Sequence, residues 1–132
     1  MKTFNLKIVT PDGLCYDSEV ESLLVRTDDG DVEFLAGHID YMASLGTGRA
    51  RIKDGGKDRF ASVSGGFVTV SGGEVKLVAI TFEFRENIDL ERARAARDEA
   101  KAAISSSADD KIVALAKAKL QRALSRIDVA EM

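Results

Sequence analysis

Short alternating runs of apolar and polar residues dominate the first two thirds of the chain. The segments 4–9, 48–53 and 74–79 place apolar or small side chains at every second position, a period of two that is typical of a strand with one buried face. Turn sequences follow the first two segments, at Pro11-Asp12-Gly13 and at Asp54-Gly55-Gly56. These segments are therefore predicted to be strands joined by tight turns.

Two glycine pairs divide the longer stretch FASVSGGFVTVSGGEVKLVAI, residues 60–80. Gly65-Gly66 and Gly72-Gly73 interrupt runs of β-branched and aromatic residues, so both pairs are expected to end strands. Many short strands, with frequent turns and no helical pattern between them, predict a sandwich or barrel over roughly residues 1–84.

A helical tail begins at ENIDLERARAARDEAKAAI, residues 86–104, and no glycine or proline occurs after this point. Asp89 is predicted to cap a first helix, because its carboxylate can accept from free amides and offset the positive end of the helix dipole. Ser105-Ser106-Ser107 predicts a break, and Asp109 or Asp110 predicts the cap of a second helix.

The predicted fold class is therefore β + α. We expect an N-terminal β-sandwich over residues 1–86 and a C-terminal antiparallel two-helix hairpin over residues 87–132, whose second helix ends near Ile127.

Taken together, the apolar faces of the two predicted helices consist mostly of alanine. The face of the second helix comprises Ile112, Ala116, Leu120, Ala123, Leu124 and Ile127. That of the first comprises Ala93, Ala96, Ala100, Ala103 and Ile104. Burying a leucine contributes about 1.5–3 kcal/mol and an alanine considerably less, while helices this short are marginal alone in water. The tail is therefore predicted to be the weakly docked, mobile part of the molecule.

A basic stretch stands out against the net charge of −3. No Asp or Glu occurs between residues 111 and 127, which contain the basic residues Lys111, Lys117, Lys119, Arg122 and Arg126. This excess favours an anionic partner for the tail, whereas the acidity of the whole chain argues against nucleic-acid binding. Neither a membrane span nor a secretory signal is expected, and the lone Cys15 fits a reducing compartment.

The sequence contains no recognisable catalytic or metal-binding constellation. One histidine and one cysteine cannot supply a zinc site, and the residues around Gly56-Lys57 lack the P-loop pattern. The acidic cluster at residues 28–33 matches no EF-hand spacing and is interpreted as a solvated turn. His38 is interpreted as a hydrogen-bonded structural residue. We therefore expect no catalytic site, no metal and no required cofactor.

Arginines on both helices suggest a ligand instead. Asp89 and Arg92 lie one turn apart on the first helix, and Arg122 and Arg126 lie one turn apart on the second. An antiparallel hairpin brings the two pairs together, and three guanidiniums beside one carboxylate would repel unless an anion joined them. Two interpretations stay open from the spacing: a phosphate-bearing ligand, or solvated faces with ordinary ion pairs.

Three motifs, in order along the chain, carry a resemblance to a known family. The opening FNLKIVTPDGLCYDSEVESLLVRTDDGDVEFLAGH, the segment ASVSGGFVTVSGGEVKLVA and the motif IDLERA resemble those of the ε subunit of bacterial F-type ATP synthase. The resemblance covers essentially the whole chain. It departs at residues 35–40, LAGHID, which lack both prolines of the usual "LPGHAP" loop, so the loop is less predetermined here.

The resemblance implies a non-catalytic rotor subunit that couples ion translocation to ATP synthesis. The sandwich would bind the γ subunit and the c-ring, with contacts near Asp31 and His38. The tail would swing to an extended state in which its basic helix meets the α/β subunits and inhibits ATP hydrolysis; the inhibitory residues would be Lys111, Lys117, Lys119, Arg122 and Arg126. The implied location is the cytoplasmic face of the bacterial cell membrane, with membrane association only through the complex.

The resemblance also implies that ATP acts as a regulatory ligand of the folded-down hairpin. The matching positions here are Glu83, Ile88, Asp89, Arg92, Ala93, Arg122 and Arg126. The carboxylates would accept from the adenine amine and the arginines would pair with phosphates. Two alternatives remain: a passive coupling subunit without ATP sensing or inhibition, and a free-standing nucleotide-binding sensor.

Overall fold

The computed structural model describes residues 2–132, which form eight strands and two α-helices. The helices α1 (Leu90–Ser106) and α2 (Asp110–Ala130) follow a 3₁₀ turn at Arg85–Asn87. No helix among the described residues is both long and apolar enough to cross a membrane. The strands are β1 (Phe4–Thr10), β2 (Gly13–Val20), β3 (Ser22–Thr27), β4 (Gly30–Leu35), β5 (Tyr41–Ser44), β6 (Gly48–Asp54), β7 (Lys57–Ser71) and β8 (Glu74–Phe84).

The strands form one continuous sheet that folds over into the predicted β-sandwich. Its order is β2-β1-β8-β7-β6-β3-β4, and β5 pairs with β7 outside this path. Strands β1 and β8 run parallel, and the other pairs are antiparallel. The first half of β7 pairs with β6 and its second half pairs with β5, so the β7–β8 hairpin belongs to both layers.

Gly66 lies where β7 changes its partner from β6 to β5. Its φ is 95°, and a Cβ at this position would lie 1.8 Å from the carbonyl oxygen of Val78 on β8. Because glycine adopts positive φ without strain, the pairing with β8 continues past this point as far as Ser71. The prediction that Gly65-Gly66 ends a strand is therefore wrong, whereas the predicted turn at Gly72-Gly73 is confirmed.

The alternating residues of the predicted strands supply the core. Leu6, Ile52 and Leu77 are fully buried, and the strands on both sides contribute to the same apolar cluster. Two layers that each bury one face explain why a period of two runs through most of the first 84 residues. The remaining members of the cluster are Phe4, Ile8, Val20, Leu23, Val25, Phe34, Leu45, Ala50, Ala61, Val63, Val68, Val70, Val75 and Ala79.

The helix caps agree with the sequence, but the break between the helices is shorter than predicted. Oδ1 of Asp89 accepts a hydrogen bond from the backbone amide of Arg92 at 3.1 Å, which confirms the predicted cap. Asp109 caps α2 in the same manner. Helix α1 continues to Ser106, whose hydroxyl donates to the carbonyl of Ala102 at 2.8 Å. A serine that bonds back to the preceding turn can stay helical, so the break is confined to residues 107–109.

Helix α2 lies between the sandwich and α1. It packs on β7 and β6, whereas the main contact of α1 is with α2. The hydroxyl oxygens of Ser125 on α2 and Ser62 on β7 lie 2.8 Å apart, within hydrogen-bond distance. Helix α1 is therefore held to the sandwich mainly through α2. The buried residues of the hairpin are Ala93 and Ala100 on α1, and Ala116, Ala123, Ile127 and Val129 on α2.

The predicted apolar face of α2 is only partly correct. Ile112 and Leu124 are 48% and 45% exposed, whereas Val129, beyond the predicted end of the helix, is fully buried. Ala116 and Ala123 are buried because their small side chains let α2 approach its neighbours closely, while larger residues at the edges of the stripe stay outside the contact. Alanine thus remains the main buried residue of the hairpin, which is the observation on which the prediction of weak docking rests.

Substitution of Gly66 by alanine is expected to destabilise the sandwich by several kcal/mol, because the new methyl group meets the backbone of β8. Gly72→Ala is the matched control: its φ of 58° is also positive, but nothing lies within 4 Å of its added Cβ. The control should lose only about 1–2 kcal/mol. Urea denaturation of both variants measures the difference, and equal losses would refute the close approach.

Candidate functional site

A cavity of about 360 Å³ lies where the last strand meets both helices. Its lining combines acidic and basic side chains from elements that are distant in the sequence. Strand β8 contributes Glu83, the start of α1 contributes Asp89 and Arg92, and α2 contributes Arg126. The remaining lining residues are Asn87, Ala93 and Ala96. Five of the seven residues that the resemblance assigns to ATP thus surround one space, which we call the first cavity.

Arg126 is paired in the first cavity. Its Nε donates to Oε1 of Glu83, so an ion pair joins α2 to the end of β8. The two side chains are 28% and 34% exposed, which places the pair partly inside the protein. From the spacing of the charged residues we expected several guanidiniums to repel one another, with Asp89 as the only carboxylate beside them. That expectation is wrong, because the Glu83 carboxylate faces the same cavity and balances the charge of Arg126.

The start of α1 supplies donors and an acceptor to the first cavity. Asp89 uses one carboxylate oxygen to cap the helix, so the orientation of its side chain is fixed by the backbone. Arg92 lies in the first turn of α1, and no carboxylate is within 4.0 Å of its guanidinium in the part of the chain that is described. The amides of this turn and the unpaired guanidinium both favour an anion.

A second cavity of about 290 Å³ continues along the seam between the two helices. It shares Ala96 and Arg126 with the first cavity, so the two cavities are adjacent, and together we call them the groove. Arg122 lines this second cavity and not the first, which separates it from the other predicted ligand residues. The other lining residues are Glu99, Ala100, Ala103, Ile112, Leu115, Ala116 and Lys119.

Two further ligand positions differ from expectation. Ile88 lines neither cavity; its backbone amide donates to the carbonyl of Arg85 at 3.2 Å and closes the turn before α1. Asn87 lines the first cavity although sequence reasoning did not identify it. Its position directly before the IDLERA motif was the available signal, but an asparagine in a turn has many ordinary roles.

The basic stretch of α2 divides into an exposed part and a half-buried part. Lys111, Lys117 and Lys119 are exposed, whereas Arg122 and Arg126 are half-buried beside α1. Within the described residues, no carboxylate lies within 4.0 Å of the three lysine ammonium groups or of the Arg122 guanidinium. In the docked hairpin, the lysines therefore present positive charge to solvent.

Asp31 and His38 make their contacts inside the sandwich domain. The Asp31 carboxylate accepts from Nε of Arg26 at 2.7 Å, and this hydrogen bond raises the pKa of Arg26. The His38 ring packs edge-on against Phe34 with 4.9 Å between ring centroids, and its Nδ1 lies 2.7 Å from the carbonyl oxygen of Ile39. His38 is hydrogen-bonded, as expected, and neither residue lies in the groove.

An apolar row that the sequence analysis did not identify crosses the outside of the sandwich. Leu14, Val9, Val78 and Phe67 are successive cross-strand neighbours on β2, β1, β8 and β7. Leu14 and Phe67 are 60% and 39% exposed, and Ile80 extends the row with 64% exposure. Contiguous apolar patches on a protein surface often mark contact sites. The sequence contained one indication of this row, namely apolar residues at positions of the predicted strands that face outward.

Two further arginines contact the residues that follow the end of α2. Arg94 on α1 donates to the carboxylate of Glu131 at 3.1 Å, and Arg85 donates to the carbonyl oxygen of Met132. These contacts tie the end of α2 to α1 and to the turn before it.

The junction between the domains is held by Arg59 of β7. Its guanidinium lies 3.8 Å from the centroid of the Phe84 ring and pairs with Glu86 at 2.5 Å. A backbone hydrogen bond and the Arg59 guanidinium together lower the pKa of Glu86. Phe84 and Glu86 are thus both tied to β7 through Arg59.

Comparison with known proteins assigns both parts of the chain to one kind of subunit. Residues 3–85 match the family described as ATP synthase, Delta/Epsilon chain, beta-sandwich domain, and residues 86–131 match ATP synthase, Delta/Epsilon chain, long alpha-helix domain. The ATP synthase epsilon chain of Bacillus subtilis is 45% identical over 130 residues, covering 98% of each chain. That of Bacillus velezensis is 43% identical over 130 residues, again covering 98% of each.

A solved structure has the same fold over nearly the whole chain. A chain in the OSCP/F1/c-ring part of the Euglena gracilis mitochondrial ATP synthase superimposes with a TM-score of 0.84 at 26% identity, covering 98% of this chain and 82% of that chain.

The ion pair of Glu83 and Arg126 is expected to contribute to hairpin docking. A double-mutant cycle with Glu83→Gln and Arg126→Gln should give a coupling energy of about 1 kcal/mol, because the pair is partly shielded from water. The free energy of local opening is measured by amide hydrogen exchange in α2. The matched control is Arg94 with Glu131, whose side chains are 48% and 51% exposed and should couple more weakly. A coupling no larger than that of the control would contradict the expectation.

Proposed function

The chain belongs to the ATP synthase delta/epsilon chain family, and from this premise we propose how its two domains work. It is a non-catalytic epsilon subunit of the central stalk of an F-type ATP synthase. We propose that the sandwich couples the chain to the rotor and that the hairpin is a regulatory element, which binds ATP when docked and inhibits ATP hydrolysis when released.

The observation that carries ATP binding is the composition of the first cavity. Glu83 and Asp89 offer acceptors, Arg92 offers an unpaired guanidinium, and Arg126 reaches the same space from the other helix. A nucleotide needs both kinds of group, because its base amine donates hydrogen bonds and its phosphates are anionic. The cavity also touches the sandwich and both helices, so a ligand there would contact the hairpin only in its docked state.

Binding to the docked state alone would shift the equilibrium towards it. The stabilisation equals RT ln(1 + [L]/Kd), so it grows with the concentration of ATP relative to the dissociation constant. ATP would thus act as a regulatory ligand and not as a substrate. In this role Arg126 would be shared between Glu83 and the phosphates.

We propose that the apolar row on the sandwich is the surface that meets the γ subunit. Leu14, Phe67 and Ile80 of this row are exposed, and Val9 and Val78 between them are half-buried. Asp31 at the turn end of β4 is the proposed c-ring contact and His38 the proposed γ contact. The subunit would then lie at the cytoplasmic face of the bacterial membrane through its partners.

Inhibition would use the exposed lysines of α2 after the hairpin leaves the sandwich. Lys111, Lys117 and Lys119, with Arg122 and Arg126 released from the groove, would form a cationic helix with no acidic residue between positions 111 and 127. Such a helix favours acidic surfaces, and the proposed surfaces are on the α/β subunits of the catalytic head.

A passive coupling role is the second candidate, and one observation favours it. Arg126 already has a carboxylate partner in the docked hairpin without any ligand, and further contacts hold the end of α2. If these contacts alone keep the hairpin docked, the tail neither senses ATP nor inhibits.

The proposed site predicts that Arg92→Gln weakens ATP binding by about tenfold, since it removes a charge-assisted hydrogen bond to phosphate. Isothermal titration calorimetry on the full chain measures this change. Lys101→Gln is the matched control, because Lys101 is an exposed cation on the same helix that lines neither cavity. Equal affinities of the two variants would remove Arg92 from the site.

Deletion of residues 88–132 is expected to raise ATP hydrolysis by an enzyme reassembled with the shortened chain, because the inhibitory helix is gone. A full-length variant with Lys111→Gln and Lys117→Gln should raise hydrolysis partly, since it retains the helix and removes two exposed charges. Rates of hydrolysis that match the wild-type enzyme in both cases would exclude inhibition and favour the passive coupling role.

A further inference from the structure

The sheet face beneath α2 presents three polar side chains in a line across three strands. Arg49 on β6 is the cross-strand neighbour of Ser62 on β7, and Ser62 is the neighbour of Glu83 on β8. Ala50 and Ala61, which follow Arg49 and precede Ser62 in the chain, belong to the core cluster, so the line lies on the opposite face of the sheet. We call Arg49, Ser62 and Glu83 the polar row.

Each member of the polar row contacts a polar atom in α2 or just beyond its end. The partners are Ser125 for Ser62, Arg126 for Glu83 and the sulfur of Met132 for Arg49. The row thus offers α2 a cation, a hydroxyl and an anion in a fixed order. A shift of α2 along its axis by one turn, about 5.4 Å, would separate all three pairs.

A hydroxyl pair lies at the centre of these contacts. The oxygens of Ser62 and Ser125 are 2.8 Å apart, Ser62 is only 6% exposed, and Ser125 is half-buried. Ser125 is also the only hydroxyl residue between positions 110 and 130. The helix therefore places its single hydroxyl opposite a buried hydroxyl of the sheet.

The hydroxyl pair contributes little net free energy to docking. In the docked hairpin the two hydroxyls satisfy each other, and once α2 leaves the sheet, water satisfies both. Two apolar side chains at the same place would gain free energy from burial and would be exposed to water by release. A shifted α2, however, would leave the buried Ser62 hydroxyl without a partner, which is costly.

We propose that the Ser62–Ser125 hydroxyl pair fixes the position of α2 on the sandwich while it keeps the docking reversible. The pair penalises shifted positions of α2 but adds little to the strength of the correct one. The inference deepens the proposed function, because it rests on release of the hairpin and assigns the ease of that release to two residues.

The test is amide hydrogen exchange of α2 in the full chain, because an undocked helix loses most of its protection. Ser125→Ala should speed exchange by about five- to tenfold, since it leaves the buried hydroxyl of Ser62 unsatisfied. Ser62→Ala should have a smaller effect, because Ser125 is only half-buried and water can reach its hydroxyl. The double variant should exchange as slowly as the wild type, or up to about threefold more slowly.

Gln121→Ala is the matched control for the higher helix propensity of alanine. Gln121 is an exposed residue of α2 that lines neither cavity, so its substitution changes the helix without changing the contact with the sheet. Protection of the amides in β7 and β8 shows in each variant that the sandwich stays folded.

Faster exchange in Ser125→Ala, together with restored protection in the double variant, supports the inference. Losses of protection that add up in the double variant overturn it, and so does a Ser125→Ala variant that exchanges like the control. Hydrolysis of ATP by enzyme reassembled with the same variants tests the proposed function separately. Equal hydrolysis rates among variants whose α2 exchange differs would contradict inhibition by the released hairpin and leave the role of the hydroxyl pair intact.

Discussion

Alanine side chains form most of the buried contact of the helical hairpin, and the prediction of weak docking depends on how little apolar surface they bury. Ala116 and Ala123 let α2 approach the sheet and α1 closely, but each contributes less apolar burial than a leucine would. Ile127 and Val129 supply the larger contacts. Docking is therefore strongest near the end of α2 and weakens towards the tip of the hairpin, where residues 107–112 are mostly exposed.

Polar contacts supplement this thin seam, and one of them lies in the groove. Arg126 pairs with Glu83 of the sandwich and lines both cavities, so the residue that helps to dock α2 also faces any ligand of the groove. Docking and ligand binding are then thermodynamically linked. The free energy by which a ligand changes the stability of the docked hairpin equals the free energy by which docking changes the binding of that ligand. A ligand of the groove that bound only the docked hairpin would therefore stabilise docking.

Local features of the fold were predictable because they depend on residues close together in the chain. The cap at Asp89, the alternation of β1 and the turn at Gly72-Gly73 each involve a few neighbouring positions. The prediction for Gly65-Gly66 was wrong because a glycine pair can either end a strand or lie within one. Here the pairing with β8 continues on both sides of the two glycines, and the pairing of distant strands cannot be seen in the local sequence. The prediction that Arg122 and Arg126 meet the same residues of α1 was only partly correct. The two arginines are neighbours on the helix, but only Arg126 lines the first cavity.

The sequence by itself determined the division into a β domain and a helical tail, the buried faces of the main strands and the stretch without acidic residues. These follow from periodicity and composition, which backbone geometry translates directly into faces and ends. Only the tertiary structure decided that Glu83 pairs with Arg126, that the groove has two cavities and that an apolar row crosses the outer surface of the sandwich. Such contacts join positions far apart in the chain, and they depend on how strands pair and at what angle α2 docks, which no local pattern encodes.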